Sequence, residues 1–238
     1  QNTILQSTNF YMAEFDQYAK DYRELHNENL KITGFNSLHF VDIKVNWLAE
    51  FEKNEPLRLL DLGCGDGYTA EYMYKKFPLW QVDAIEVSQE SIDVAKLKHA
   101  PNTKFQWFDG KNVPFESESF DAIFIACIFH HVPLDEHEAL MIEAKRVLKK
   151  GGRLYLFEHN PFNLGTQYLV KTCVFDGTAH LLSVAHFTKL FKQTGWKINF
   201  VKYLTFFPGW KFIRPLLKLE KHLSWLPLGG QYFISATK

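Results

Sequence analysis

From about residue 57 to residue 160, short apolar runs alternate with segments whose apolar residues recur at helical spacing. Apolar runs of four to eight residues predict buried strands, and repeats every three to four residues predict helices. The predicted strands are 57–62, 80–87, 103–108, 120–128 and 153–158. Helices are predicted between them, at 68–77, 88–99 and 135–148. Because helices separate the buried strands, we expect an α/β fold with a doubly wound, mostly parallel sheet.

The pattern changes at both ends of this region. Residues 160–182 lack clear periodicity and predict an inserted cap, whereas 183–194 predict a helix. Two more strands are predicted at 196–207 and 231–237, which makes the sheet seven-stranded. Helical spacing in the first fifty residues predicts a helical lid (1–55) over the main domain (56–238).

Composition fits a globular chain with a full core. With 238 residues and 46% apolar content, we expect one domain of the larger kind. Three scattered cysteines without a C-x-x-C motif favour reduced thiols in the cytoplasm over disulfides or zinc. The longest apolar run falls well short of the roughly 20 residues that a membrane span needs. The chain begins with Gln1, which leaves open whether a leader was removed.

Charge is unevenly distributed although the formal net charge is zero. Residues 150–238 carry twelve basic and three acidic side chains, whereas the rest of the chain is acidic. This predicts a positive face for an anionic partner, unless the lysines only solvate helix surfaces. Residues 209–226 predict a basic aromatic helix that either docks on the sheet or contacts an anionic membrane or a lipid-linked substrate. Nucleic-acid binding is disfavoured, because no recognition motif accompanies the charge.

The most specific motif is the turn after the first predicted strand. Asp61 precedes Leu62-Gly63-Cys64-Gly65-Asp66-Gly67, so the strand ends in alternate glycines before a helix begins. Glycine tolerates positive φ and has no Cβ, which lets backbone amides approach a ligand. A dinucleotide-binding fingerprint would need glycine at position 68, where this chain has Tyr68.

This turn resembles the first motif of the class I S-adenosylmethionine (SAM) methyltransferases. Acidic residues after the next two strands match the same family. Glu86 closes the second strand and Asp109 follows the third. Val113-Pro114-Phe115 and Ser119-Phe120-Asp121 extend the resemblance, which covers about 57–160. It implies a Rossmann-like methyltransferase fold with SAM as methyl donor and S-adenosylhomocysteine (SAH) as product.

The resemblance implies a set of cofactor contacts. A carboxylate and bare amides at the glycine turn would complement the methionyl arm, Glu86 the ribose hydroxyls and Asp109 the adenine amine. The expected residues are Asp61, Gly63, Cys64, Gly65, Glu86, Val87, Asp109, Gly110 and Ala126. The F-D-x-Y-A-x-x-Y segment at 15–22 adds Tyr18 and Tyr22 as lid residues, with core packing as the alternative.

Histidines supply the candidate base for an oxygen nucleophile. His131 aligns with a histidine that often follows the fourth strand in similar enzymes, so it ranks before His159, and His130 is its neighbour. Each could instead be a structural histidine bonded to backbone. We assign no metal, because adjacent His-His and Glu-His residues should point in different directions.

The segments 158–163, 175–176, 206–208 and 227–232 resemble a bacterial subgroup associated with glycan or natural-product pathways. This implies an acceptor pocket formed by Phe162, Phe175, Asp176 and His180. The expected reaction is methylation of oxygen, or alternatively nitrogen, on a small-molecule or glycan-like acceptor. An aminopropyltransferase using decarboxylated SAM and a non-catalytic SAM-fold binding protein are the alternatives. The sequence does not predict an oligomeric state.

Overall fold

A computed structural model describes residues 16–238 and contains a seven-stranded sheet in the order β3-β2-β1-β4-β5-β7-β6. Strands β1 to β5 pair in parallel, whereas β7 is antiparallel to both β5 and β6. The strands are β1 (Leu57–Leu62), β2 (Trp80–Glu86), β3 (Thr103–Trp107), β4 (Phe120–Ala126), β5 (Leu148–His159), β6 (Lys197–Leu204) and β7 (Gln231–Thr237). This confirms the predicted doubly wound, mostly parallel sheet.

Helices cover both faces of the sheet. They are α1 (Tyr22–Leu30), α2 (Ser37–Leu48), α3 (Tyr68–Lys76), α4 (Gln89–Ala95), α5 (His137–Val147), α6 (Leu164–Thr172), α7 (Val184–Thr194) and α8 (Glu220–Leu223). Short 3-10 helices occur at Lys31–Thr33, Phe129–His131 and Arg214–Leu219. No helix within 16–238 is both long enough and apolar enough to cross a bilayer.

Alternate residues of the central strands enter two separate apolar layers. Leu60 and Ile123 pack with α5 and α7 on one face, while Leu59 and Phe124 pack with α2 and α3 on the other. A strand buried on both faces has no polar side, which explains its nearly continuous apolar run.

The segment 160–182, predicted as an aperiodic cap, contains α6. Asn163 caps this helix by accepting a hydrogen bond from the Thr166 amide at 2.9 Å. Asn29 of α1 donates to the Leu169 carbonyl at 2.9 Å, so α1 and α6 pack together over the carboxyl ends of the strands.

The predicted continuous helix over 209–226 is wrong. A turn leads into the 3-10 helix Arg214–Leu219, and only Glu220–Leu223 is α-helical. Pro215 stands in the first turn of the 3-10 helix, where its missing amide hydrogen is tolerated. In the interior of one continuous α-helix it would break the hydrogen-bond ladder.

Candidate active site

A cavity of about 820 Å³ lies at the carboxyl ends of β1, β2, β4 and β5. Helices α1, α2 and α6 and the loop 205–210 cover it. In open parallel sheets, ligands bind outside the carboxyl ends of the strands where the strand order reverses, here between β1 and β4. The cavity is therefore the candidate site.

The glycine turn forms one wall of this cavity. Gly63 has a φ of 82°, and a Cβ there would lie 2.4 Å from Cγ2 of Ile128. Gly65 has a φ of 52°, and a Cβ there would meet no atom within 4 Å. Packing thus requires glycine at 63, while Gly65 presents bare backbone to the open space.

Two carboxylates lie beside this turn. Glu86 accepts hydrogen bonds from the amides of Gly65 at 3.0 Å, Val87 at 2.8 Å and Ser88 at 3.2 Å. Asp61 is 1% exposed, and its Oδ2 has no hydrogen-bond partner among residues 16–238. Burial, with a smaller contribution from the Glu86 charge, raises the pKa of Asp61 to about 7. A buried, unpartnered carboxylate on a cavity wall suits a cationic or hydrogen-donating ligand.

Asp109 is engaged elsewhere. Its carboxylate accepts from the amides of Lys111 at 2.8 Å and Asn112 at 2.7 Å, and from the Asn112 side chain at 2.6 Å. Its pKa lies below its usual value because these bonds outweigh partial burial. Neighbouring Phe108 and Gly110 line the cavity, whereas Asp109 does not. Its role toward adenine stays a prediction.

Of the two predicted lid tyrosines, only Tyr22 lines the cavity. Its ring centroid lies 4.7 Å from that of Phe175, and burial raises the pKa of its hydroxyl above the usual value. The ring centroid of Tyr18 lies 6.2 Å from that of Phe175. The next residue on α1, Arg23, donates to Asp66 of the glycine turn from Nη2 at 2.6 Å and also from Nε. Helix α1 is thereby fixed over the turn.

The histidines after β4 converge. Residues 129–131 form a 3-10 turn, and the ring centroids of His130 and His131 are 4.1 Å apart. The expectation that these adjacent histidines point apart is therefore wrong, because the 3-10 turn brings their rings together. One ligand atom each from His130, His131 and Asp176 lies within 4.8 Å of the others, so these three residues could hold a metal ion.

Each of these histidines faces a carboxylate. Nδ1 of His130 lies 2.7 Å from Glu158, which also accepts from the Phe129 amide at 2.8 Å. Nε2 of His131 lies 3.4 Å from Asp176. Burial and the nearby His130 lower the pKa of His131. Burial alone would raise the pKa of Asp176, but the His131 hydrogen bond and the neighbouring histidines lower it to about 2.

The remaining predicted residues divide between the cavity wall and the outside. His159 lines the cavity with its ring 5.0 Å from His130, and burial lowers its pKa. Phe162 is 68% exposed and does not line the cavity. His180 donates its backbone amide to the His130 carbonyl at 2.8 Å, but its exposed side chain does not line the cavity. The predicted acceptor pocket is thus reduced to Phe175 and Asp176.

Sequence reasoning missed several polar residues of the wall, among them Lys44 and His26. Lys44 of α2 is 8% exposed and lines the cavity. Nδ1 of His26 on α1 is buried without a hydrogen-bond partner among residues 16–238, and burial with the Arg23 charge lowers its pKa to about 3. Helical spacing could have indicated Lys44, because it lies on the same helix face as Val41 and Leu48, which are both buried.

Comparisons with known proteins agree with this geometry. Residues 60–156 match a family model described as a methyltransferase domain. The chain is 32% identical over 108 residues to demethylmenaquinone methyltransferase of Thermotoga maritima, covering 45% of this chain and 46% of that protein. It is 29% identical over 114 residues to malonyl-[acyl-carrier protein] O-methyltransferase of Halalkalibacterium halodurans, covering 46% of this chain and 41% of that protein. The matched segment thus spans less than half the length of these relatives.

Similarity in structure extends further along the chain. A SAM-dependent methyltransferase from Thermotoga maritima superposes with a TM-score of 0.64 and 20% identity, covering 95% of this chain and 99% of that one. At this identity the similarity concerns the fold alone.

Proposed function

We propose that this chain is a class I SAM-dependent methyltransferase and that it methylates an oxygen of a small-molecule acceptor held beside His131. One observation supports the proposal most strongly: the groups needed for SAM binding and for proton removal meet at a single cavity. The glycine turn, two carboxylates and the paired His131 and Asp176 line one cavity, whose volume is large enough for a cofactor and an acceptor.

The residues present fit the proposed cofactor. SAM supplies a methyl group activated by a positively charged sulfur. Unpartnered Asp61 would accept hydrogen bonds from its ammonium group, and Gly65 leaves room for the methionyl arm. Glu86 would accept from the ribose hydroxyls, because its carboxylate already lies at the end of β2 against the turn.

His131 is the proposed base. Its lowered pKa keeps the imidazole neutral near pH 7, so it can take a proton from an acceptor hydroxyl. Asp176 would stabilise the imidazolium that results, since it lies 3.4 Å from Nε2. His130 is 2% exposed and bonded to buried Glu158, which suits a positioning role better.

The wall beyond the histidines favours an acceptor with apolar bulk over a glycan. Tyr22, Phe35, Phe40, Phe175 and Phe206 line it. A polyamine acceptor is disfavoured, because Glu158 and Asp176 are already paired with histidines and Lys44 adds a cation to the wall. A cytoplasmic location remains a prediction from the free cysteines.

Titration calorimetry with SAH tests the cofactor site. Glu86→Gln should weaken binding by roughly 1–3 kcal/mol, the usual cost of disturbing hydrogen bonds to a charged group. Asp83→Asn is the matched control, because Asp83 lies on the same strand but pairs with Arg58 outside the cavity. A wild-type chain that binds neither SAM nor SAH would favour the non-catalytic alternative.

Turnover with a panel of phenols and other hydroxylated compounds tests the base. His131→Asn should lower kcat by about 10²–10⁴-fold while the SAH dissociation constant changes little. If His131→Asn keeps its kcat and His159→Asn loses it, His159 is the base.

A further inference from the structure

Four apolar side chains line the cavity and also face solvent. Ile32, Leu164, Tyr168 and Trp210 are 54%, 79%, 54% and 43% exposed. A residue can combine cavity lining with exposure only where the cavity opens to the surface. These four residues therefore define an apolar mouth.

The same segments that supply the mouth also supply apolar residues of the inner wall. The end of α1 and the start of α2, helix α6, and the loop 205–210 contribute Leu30, Val41, Leu169, Phe206, Phe207 and Pro208. An apolar lining that reaches the surface can hold a chain or ring system that extends out of the site.

Hydrogen bonds connect the three segments that form the rim of the mouth. The Gly209 amide donates to the Thr33 carbonyl at 2.7 Å, and Nε1 of Trp210 donates to the Ile32 carbonyl at 2.9 Å. Asn29 joins α1 to the Leu169 carbonyl of α6. The Trp210 indole is therefore fixed at the rim with its polar edge satisfied, as is typical of aromatic residues at a lipid–water interface.

The surface next to the mouth is both apolar and basic. Phe212 is 79% exposed, and its ring lies 5.8 Å from that of Trp210. Lys211, Arg214 and Lys218 are exposed and form no ion pair with any residue of 16–238. This combination complements an anionic lipid surface.

The C-terminal third itself contributes few acidic groups to this surface, although Lys221 pairs with Glu50 of the segment after α2. Residues 150–238 contain three carboxylates, of which Glu158 and Asp176 lie within the site facing histidines. The third, Glu220, accepts hydrogen bonds from the amides of Phe206 and Phe207. The outward-facing charge of the C-terminal third is therefore almost entirely positive.

We infer that the acceptor is an amphiphile whose apolar tail extends through this mouth, and that the mouth docks on an anionic bilayer from which the acceptor enters. The reactive oxygen would reach His131 while the tail lies against α1, α2 and α6. This inference rests on the proposed function and names the acceptor class for the same site.

Vesicle flotation with the full chain tests the docking surface. The protein should partition onto vesicles containing phosphatidylglycerol at least about tenfold more strongly than onto pure phosphatidylcholine. The double variant Trp210→Ser with Phe212→Ser should weaken that partitioning by about tenfold or more. Leu97→Ser is the matched control, since Leu97 is 83% exposed but does not line the cavity.

Fluorescence titration with N-phenyl-1-naphthylamine tests the apolar channel. Leu169→Lys places a charge in the channel wall at a half-buried position, and it should reduce probe binding about tenfold or more. Its SAH affinity should match that of wild type, which shows that the variant is folded.

Three results would overturn the inference: no preference for anionic vesicles, equal partitioning of the double variant and wild type, or unchanged probe binding in Leu169→Lys. Self-association that depends on Trp210, without vesicle binding, would assign this face to a second copy of the chain. If wild type binds SAH in these cases, the proposed methyltransferase function stands. If wild type does not bind SAH, the proposed function and this inference are both overturned.

Discussion

At the scale of single residues, the site holds its carboxylates in surroundings that oppose their charge. Asp61 is buried with an unpartnered oxygen, and the Glu86 charge lies close enough to raise its pKa further. Burying a carboxylate without a partner destabilises the folded state. A cationic ligand would relieve that cost. The buried carboxylate therefore lowers the stability of the ligand-free protein and strengthens ligand binding.

The pH dependence of stability follows from Asp61. Its folded pKa of about 7 lies above the usual value of 3.8, so the folded state binds this proton more tightly than the unfolded state does. The stability contribution is therefore present below about pH 4 and is lost as the pH rises toward 7. We expect Asp61→Asn to be more stable than wild type at pH 8 by about 4 kcal/mol and to differ little at pH 4.

Urea unfolding of the ligand-free protein at several pH values measures this difference. Asp121→Asn is a suitable control, because Asp121 is half-exposed and pairs with Lys149. Parallel stability curves for wild type and Asp61→Asn would show that Asp61 titrates normally.

At the scale of elements, one ion pair helps to position α1, alongside the Asn29 hydrogen bond to α6. Arg23 makes two hydrogen bonds to Asp66, and its guanidinium lies 5.0 Å from the Tyr68 ring centroid. The side chains are 23% and 7% exposed, so solvent screens this pair only in part. It connects the helix that covers the cavity to the glycine turn below it.

Removing that connection should loosen the helix without unfolding the sheet. We expect Arg23→Gln to raise amide hydrogen exchange across 22–48 and to weaken SAH binding by roughly 1–3 kcal/mol, since it leaves a partly buried carboxylate unpaired. Lys31→Gln is the control, because its pair with Glu28 is exposed and worth less than about 1 kcal/mol. Unchanged exchange in Arg23→Gln would mean that the Asn29 hydrogen bond to α6 and the packing of Tyr22 on Phe175 suffice to position α1.

At the scale of the whole molecule, strand β7 is more deeply buried than the edge strand β3. Phe233 of the antiparallel strand β7 is fully buried, stacks on Phe157 at 4.3 Å and lies 5.4 Å from Phe200. Strand β3 forms the opposite edge, and Phe105 there is only partly buried.

This asymmetry predicts unequal costs for two equivalent truncations. Phe233→Ala should lower the free energy of unfolding by about 3–5 kcal/mol, because the cavity it leaves is enclosed on all sides. Phe105→Ala should cost less than half as much, since solvent can fill the space at the edge. Chemical denaturation of both variants measures the difference, and similar losses would contradict the difference in burial between β7 and β3.

Much of the fold follows from the sequence, and the reason is that periodicity is local. The strand ending at Leu62 and the glycine turn after it depend on neighbours along the chain, so pattern and glycine spacing predict them. Topology rules then bring Asp61, Glu86 and the histidines after β4 to one rim.

Only the tertiary structure decided how those side chains are used. His130 and His131 converge because a 3-10 turn replaces extended backbone, and Asp109 is withdrawn by its own loop at Asn112. Lys44 and the mouth at Trp210 arise where segments distant in sequence pack together. The sequence determined which chemical groups reach the rim, because that depends on local periodicity and strand order. Packing between distant segments determined the direction of each group and the shape of the cavity they enclose.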